Sequence, residues 1–452
     1  MKTARIIVFL GVFLLLFAAC QMDAENDTPS PPLPPEYDIY DELVYTHALL
    51  DGFFLYAKER LNPVNTYLGL GGDAPYGDIR AMYGSLEEPF TRYFTPEQKP
   101  SIVAALSPTQ SAYVGFEYIQ LSTDDSLPGL FVTNVWPDSP AEEAGLMKLD
   151  RILIVNGVKI EGDDLVPIYQ EASKGGEGTA VVLTVLRGDQ TIKLPPMVKK
   201  ILVQPTVYLN FYSDIPVIQI TQFMSTSEGE FQNALVKIKD KGDVRIGILD
   251  LRGNPGGGVD TTIAIADELI ADGEIIRYED HYIGSINGLL YKFVDTVTET
   301  AEPGGLGEDI RWICLTDENS ASATEILLCA LKNSRSDTYI IGENSYGKGI
   351  GQYYLSTLLD GITGITALKF YNKDGISYDG IGIAPDEECD PYAALERAIE
   401  FAVKYVSSLP ASRNYLRAAV SRAEVQAMNE AFLERRVTAD EAGGAWKFLD
   451  LR

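Results

Sequence analysis

The sequence predicts an α/β core carrying an inserted β-rich domain, with helical segments at both ends. Three observations predict it. From Ile215 to Gly342 short apolar strands alternate with amphipathic helices, the pattern of a sheet covered by helices. Ahead of it, Ser111 to about Val203 is rich in strand-forming runs separated by turn residues. Tyr40 to Leu61, and the chain beyond Asp390, instead repeat apolar residues at helical spacing. A chain of 452 residues is too long for one ordinary core. The boundaries read as a targeting segment at 1–20, a tether at 21–36, a helical region at 37–108, the β-rich domain at 109–203, the α/β core at 204–391 and a C-terminal helical region at 392–452.

The first segment has a positive start, Lys2 and Arg5, then an apolar run from Ile6 to Ala19. That run is short for a membrane span of about 20 residues and fits an export signal. It ends in Leu16-Phe17-Ala18-Ala19-Cys20, which resembles a bacterial lipobox. The resemblance implies lipidation of Cys20, a membrane-anchored mature N-terminus, and residence in the cell envelope on the periplasmic or surface face of the outer membrane. A plain signal peptide cut nearby is the alternative. Gln21 to Asp27 resembles the acidic export tags of some surface lipoproteins, and Pro29, Pro31, Pro32, Pro34 and Pro35 make the segment an extended tether. A net charge of −28 argues against nucleic acid as a partner, since a phosphate-binding face needs clustered Lys and Arg. Besides Cys20 there are Cys314, Cys329 and Cys389, widely spaced and without a CxxC pair. They read as buried small hydrophobes, not as a zinc site, and their odd number leaves a free thiol or an intermolecular pair. No metal or organic cofactor is expected.

The elements follow in order. Leu43, Val44, His47, Leu50 and Phe54 mark one face of a helix, and Ile79 to Tyr83 a second short one. Tyr113-Val114-Gly115-Phe116-Glu117-Tyr118 reads as a strand entered through a glycine turn, and Leu130 to Val135 as another. Ser139-Pro140 supplies an N-cap and a first-turn proline, and Gly145 a stop. Asp150 to Val158 is a strand with an Asn156-Gly157 hairpin turn, and Val181 to Arg187 a late strand. In the core, strands are expected at Val217–Ile220, Ile246–Arg252, Ile310–Leu315 and Tyr339–Gly342, and helices at Glu228–Lys239, Thr261–Ala271 and Glu325–Lys332. Glu279 to Gly307 shows weak regular structure and reads as a surface insertion near the active site. Tyr392–Val406 and Asn414–Phe432 are polar amphipathic helices, expected to pack on the core or on a second copy in a homodimer.

The chemistry concentrates between Glu318 and Gln352. A turn of small residues, Ser320-Ala321-Ser322-Ala323, leads into a helix, and a later turn holds Lys348 between Gly347 and Gly349. Ser322 reads as a nucleophile and Lys348 as its base. The plainer readings are a capping box, Ser322 to Glu325, and an exposed turn lysine. The base decides between them. The chain has two histidines, His47 and His281, and neither sits among the small residues a reactive group needs. A lysine working near neutral pH must lose about three units from a reference pKa of about 10.4, roughly 4–5 kcal/mol, which a crowded apolar site supplies. At a helix start the unpaired N–H groups favour negative charge, so the Ala323 N–H is aimed where an oxyanion would form. A second donor is available from the glycine-rich turn that follows the strand ending at Asp250-Leu251-Arg252.

With these residues in view, the chain resembles the C-terminal processing, or tail-specific, serine peptidases from about Leu86 to Asp386. The family's Ser-Ala-Ser-Ala-Ser-Glu motif stands as Ser320 to Glu325 with Thr324 for serine, and its Gly-Lys-Gly as Gly347 to Gly349. Asp250 to Gly257 matches Asp-Leu-Arg-x-Asn-x-Gly-Gly, Glu87 to Tyr93 matches Asp-Asp-Pro-Tyr-Thr-Arg-Tyr, and Gly380 to Asp386 matches the closing Gly-x-Gly-Ile-x-Pro-Asp. The resemblance implies a ClpP/crotonase-like core, a Ser322–Lys348 dyad, Gln352 as the residue that orients the lysine, and the N–H groups of Gly257 and Ala323 as oxyanion donors. Ser139-Pro140-Ala141, Ala144-Gly145-Leu146, Asp150-Arg151-Ile152 and Val155-Asn156-Gly157 resemble a PDZ domain of the bacterial protease type. It implies capture of a protein's C-terminal end at Tyr113, Val114, Gly115 and Phe116, with Tyr113 where glycine is common. The expected activity is an exported serine endopeptidase acting on unstructured polypeptides. A peptide-binding lipoprotein on an unused peptidase scaffold, or an α/β enzyme of another acyl chemistry such as a thioester hydratase, are the rivals. The second would leave the PDZ-like stretch unexplained.

Overall fold

The computed structural model describes residues 37–108, 110–120, 130–160, 172–212, 214–286 and 289–409. The targeting segment with Cys20, the tether and the helix expected over Asn414–Phe432 lie outside them.

The N-terminal region forms α1 (Ile39–Phe53), α2 (Ala57–Arg60), α3 (Gly77–Gly84) and α4 (Lys99–Ala105). Asp38 caps α1, accepting the Asp41 N–H at 2.9 Å while Asp41 accepts the Asp38 N–H at 3.1 Å. The region is not purely helical: Arg92–Phe94 is a strand, β1, recruited by pairing with a distant partner.

The β-rich domain holds β2 (Gln110–Tyr113), β3 (Phe116–Gln120), β4 (Leu130–Val135), α5 (Pro140–Glu143), β5 (Arg151–Val155), β6 (Val158–Lys159), β7 (Ala180–Val181), β8 (Leu183–Arg187), β9 (Gln190–Lys193), β10 (Met197–Val198) and β11 (Lys200–Val203). Its main sheet runs β3-β4-β5-β8-β9, with β6 on β5, and two short pairs, β2 with β11 and β7 with β10, complete it. The Ser139 hydroxyl accepts the Glu142 N–H at 3.2 Å and opens α5. Asn156 and Gly157, at φ 50° and 84°, turn the β5–β6 hairpin in the left-handed conformation that asparagine and glycine tolerate. Val114, Val132, Ile152, Leu183 and Val185 form its dry centre.

The α/β region follows as β12 (Val207–Tyr212), β13 (Ile215–Ile220), α6 (Ser227–Asp240), β14 (Ile246–Asp250), α7 (Val259–Asp267), β15 (Glu274–Ile286), β16 (Leu289–Thr300), β17 (Arg311–Thr316), α8 (Ala323–Ser334), β18 (Tyr339–Gly342), β19 (Ile350–Ser356), β20 (Ile362–Tyr371), β21 (Glu387–Glu388) and α9 (Pro391–Ser408). The sheet β12-β13-β14-β17-β18-β21 is parallel from β13 onward, with β12 antiparallel at one edge. Strands β13 and β14 are buried throughout, as a sheet covered by helices requires. Ala394, Leu395, Ala398 and Ala402 of α9 pack on Ile246, Ile248, Ile313, Leu315 and Ile341. The stretch expected to be irregular is instead the long ribbon β15–β16. Most of its side chains are part-exposed or exposed and mix charge with aromatics, so the apolar alternation that reveals a strand is absent. Tyr282 stacked on Phe293 at 5.2 Å joins its arms.

The chain divides into two compact units that do not follow contiguous blocks. One takes residues up to Ala104, Arg277–Thr298 and Gly349–Ser377; the other takes Ala105–Ile276, Glu299–Lys348 and the chain from Tyr378 on. In the first, β20 pairs with β1 (Arg92 opposite Gly364), with β15 (Tyr278 opposite Phe370) and with β19 (Gln352 opposite Thr366). Leu43, Leu50, Ile79, Met82 and Leu86 pack with Ile365 to form its core. Among the described residues no helix is long and apolar enough to cross a membrane, and no cluster of His, Cys, Asp or Glu could hold a metal.

Candidate active site

Two turns at the ends of neighbouring parallel strands build the site, both in the second unit. After β14, Asp250 and Arg252 form an ion pair at 2.7 Å with both side chains out of solvent, and Arg252 Nη1 also donates to the Pro391 carbonyl at the start of α9. After β17, Asp317 Oδ1 accepts the N–H of Gly253 at 2.9 Å and of Asn319 at 3.1 Å. Burial pushes the Asp317 carboxyl up, against hydrogen bonds that pull it down. Asn254 is the cross-brace: its carbonyl accepts Ala321 N–H and Thr324 Oγ1, each at 3.0 Å, and its Nδ2 donates to Ile220 O at 2.9 Å.

Ser322 sits at φ 57°, ψ −117°, a conformation that L residues rarely adopt. Such strain costs about 1–3 kcal/mol and survives only where the surroundings impose it. Glu325 imposes it here. Its Oε2 accepts the N–H of Ser322 at 2.8 Å and of Lys348 at 2.7 Å. Its Oε1 accepts the Gly347 N–H at 2.7 Å and the Ser345 hydroxyl at 2.6 Å. Ser345 Oγ in turn accepts the Ile383 N–H at 2.7 Å. The expected capping box from Ser322 to Glu325 is present, and the Glu325 N–H also lies 2.8 Å from the Ser322 carbonyl. Burial pushes the Glu325 carboxyl up while the four donors pull it down.

Lys348 is 2% exposed, so the reading of an exposed turn lysine is set aside. The glycine turn adjoins Ser322 directly: a Cβ on Gly256 would lie 2.8 Å from Ser322 Cβ and 2.9 Å from Ala323 N. Phe223 holds that turn, donating to Gly256 O at 2.9 Å and accepting from Gly258 N at 2.8 Å. The N–H groups between and beyond these contacts, at Gly257 and Ala323, donate to nothing among the described residues.

The remaining predicted residues fall in other parts of the chain. Gln352 is in the first unit, where a bulge between Gly351 and Gln352 re-aims β19 and Gln352 Nε2 donates to Thr366 Oγ1 at 3.0 Å. Both histidines are also in that unit, His47 donating to Asn62 O at 2.8 Å and His281 held by Glu279 at 2.6 Å. In the β-rich domain, Tyr113 bridges to Lys174, and Val114 and Phe116 point into the core. Gly115, at φ 91°, turns its carbonyl onto Trp136 N–H at 2.9 Å. Of the expected carboxylate donors, the Val114 N–H is already taken by Ser173 O at 3.0 Å. The edge strand β3 adjoins this loop. Cys314 and Cys329 are buried free thiols pushed up to about 12 and about 11, and Cys389 is half-buried. Sequence reasoning missed the reach of Glu325 and the brace at Asp317. The Ser-x-x-Glu spacing signalled the first only as a cap.

Residues 214–389 match the model of peptidase family S41, and residues 112–195 that of a PDZ domain. The "Probable CtpA-like serine protease" of Staphylococcus aureus (strain bovine RF122 / ET3-1) is 30% identical over 313 residues, 69% of this chain and 59% of that protein. The protein of the same name from Staphylococcus haemolyticus (strain JCSC1435) is 28% identical over 309 residues, covering 68% and 58%. The chain thus spans under two thirds of the length of these relatives. A "Putative S41 protease" structure from Bacteroides fragilis NCTC 9343 shares the fold, with a TM-score of 0.51 at 16% identity over 90% of this chain and 99% of that one.

Proposed function

We propose that this S41 chain is an exported serine endopeptidase that cleaves unstructured polypeptides with a Ser322–Lys348 dyad. The observation that carries the reading is the single Glu325 carboxylate that holds the backbones of a strained serine and a buried lysine together. Taking an amine out of water favours its neutral, proton-accepting form. Lys348 removes the Ser322 proton as Oγ attacks the scissile carbonyl carbon, and the C=O pair moves onto oxygen. The Gly257 and Ala323 N–H groups receive that oxyanion. On collapse the amine leaves with the proton from Lys348, and water, deprotonated by the same lysine, releases the acyl group from Ser322. Gln352 orients the lysine, and the PDZ domain binds the C-terminal end of the substrate along β3 beside residues 113–116. The core is read as ClpP/crotonase-like, Cys20 as the lipid attachment that holds the mature chain in the cell envelope, and the assembly as a homodimer.

The test is cleavage of a labelled unstructured protein by the chain without its leader, beside Ser322→Ala, Lys348→Ala and His281→Ala. Both dyad variants should lose activity and His281→Ala should keep it. Cleavage that survives Lys348→Ala but not His281→Ala would overturn the dyad. No cleavage by the intact chain at any pH would favour a peptide-binding scaffold. Labelled fatty acid incorporated in cells, and lost in Cys20→Ser, tests the anchor.

A further inference from the structure

We infer that Glu88, acting through Thr366, fixes which end of the Gln352 amide faces away from the first unit's sheet. The inference rests on the reading in which Gln352 orients the lysine. Four hydrogen bonds carry it. Glu88 Oε2 accepts the Thr91 N–H at 2.7 Å, and Oε1 the Phe90 N–H at 3.0 Å. A carboxylate held by two backbone donors has only acceptor capacity to offer a third group. The Thr366 hydroxyl, 2.8 Å from Glu88 Oε2, must therefore spend its one hydrogen on Glu88. Toward Gln352 it can then only accept, so the amide end 3.0 Å from Thr366 Oγ1 has to be the NH2 group. Amide ends are assigned from such networks, and this network allows one assignment. Oε1 is left at the opposite end as an acceptor, the polarity an amine N–H requires.

The frame around the relay is rigid. Thr366 is fully buried and Glu88 nearly so. The Thr366 N–H donates to Thr91 Oγ1 at 3.0 Å and its carbonyl accepts the Leu55 N–H at 2.9 Å. Gln352 stands opposite Thr366 in the β19–β20 register, immediately after the bulge. Glu88 lies in the stretch Glu87 to Tyr93, for which the dyad itself offers no role. Glu88 and Thr366 are positioning residues: neither needs to touch substrate.

The test has two readouts. The first needs no activity. With 15N-glutamine labelling, the Gln352 Nε2 protons, identified by their loss in Gln352→Leu, should be protected from exchange in the native chain. They should exchange at least about tenfold faster in Thr366→Val, where the acceptor oxygen is gone, and in Glu88→Met, where the hydroxyl hydrogen is freed to turn the amide round. Thr366→Ser should restore protection. Equal protection in a folded Thr366→Val chain would overturn the relay, and its melting curve decides whether it is folded. The second readout is kcat. Thr366→Val and Glu88→Met should lower it about 10–100-fold, the usual size of losing an outer-shell partner, with KM little changed and Thr366→Ser largely rescuing it. An altered amide with unchanged kcat would overturn its service to the dyad. Cleavage insensitive to Ser322→Ala would instead sink the peptidase reading, while the exchange data still decide the relay.

Discussion

Glu325 grips the backbone N–H of Lys348 at 2.7 Å with the same carboxylate oxygen that grips Ser322. Neither contact involves the reactive ends of those residues, so Glu325 acts as a splint between two turns. Its two oxygens accept four hydrogen bonds, three of them from backbone N–H groups that can only donate. A glutamine in its place must set an NH2 against at least one of them. Glu325→Gln should therefore destabilise the fold by about 1–3 kcal/mol, the cost of an unpaired buried donor, and remove most activity. Urea melts with a cleavage assay on the folded fraction check it; a fully stable, fully active variant would contradict the splint.

Gly257 stands at φ 146°, and a Cβ there would meet the Phe223 carbonyl oxygen at 2.0 Å. Gly257→Ala must push the turn away from Phe223 and carry the proposed oxyanion donor with it. Loss of one such donor costs about 10²–10³ in kcat. The expected outcome is that loss with little change in KM, measured by steady-state cleavage.

Asp250 and Arg252 are buried as a pair. Removing one partner strands a charge, so Arg252→Met should cost about 3–5 kcal/mol. The double variant Asp250→Leu with Arg252→Met should be markedly more stable than the single one, because no charge remains to be stranded. Denaturant midpoints of the two chains provide the comparison.

Burial raises the Asp317 carboxyl above its ordinary value. The folded chain then holds that proton more tightly than the unfolded one. The sign follows: this contribution to stability is full below about pH 4, the unfolded value, and is lost as pH rises through the folded value. Asp317→Asn, which stays neutral, should cost more at pH 4.5 than at pH 8. A cost that grows with pH would show the carboxyl to be lowered instead.

The local signals were legible because each is written in a few adjacent residues. Ser139-Pro140 and Asn156-Gly157 announce their cap and turn, and the apolar runs Ile246–Leu249 and Trp312–Leu315 announce buried strands. The positions of Ser322 and Lys348 were visible as a serine at a helix start and a lysine between glycines. What stayed hidden depends on distant partners. Arg92–Phe94 is a strand only because β20 is there to pair with it. β15 and β16 carry charges on faces that alternate without burying, and β19 and β20 were masked by glycines and polar residues that make sense only in register. Glu88 illustrates the limit: nothing near it in sequence says that its hydrogen bond goes to Thr366.

The weave of the first unit bears on when the chain becomes competent. Thr91 and Thr366, bonded at 3.0 Å, are separated by the whole PDZ domain and most of the S41 region. Contacts of such sequence separation form late, after the entropy of closing a long loop has been met. The turns that carry Ser322 and Lys348 wait as well, because Ile383, which donates to Ser345, and Pro391, which accepts from Arg252, follow β20 in the chain. A chain interrupted before Ile362 therefore carries Ser322 and Lys348 but lacks Thr366, the acceptor for the Gln352 amide. Under the proposed function, order of synthesis thus acts as a timer that holds back cutting until the strands after Lys348 have been made.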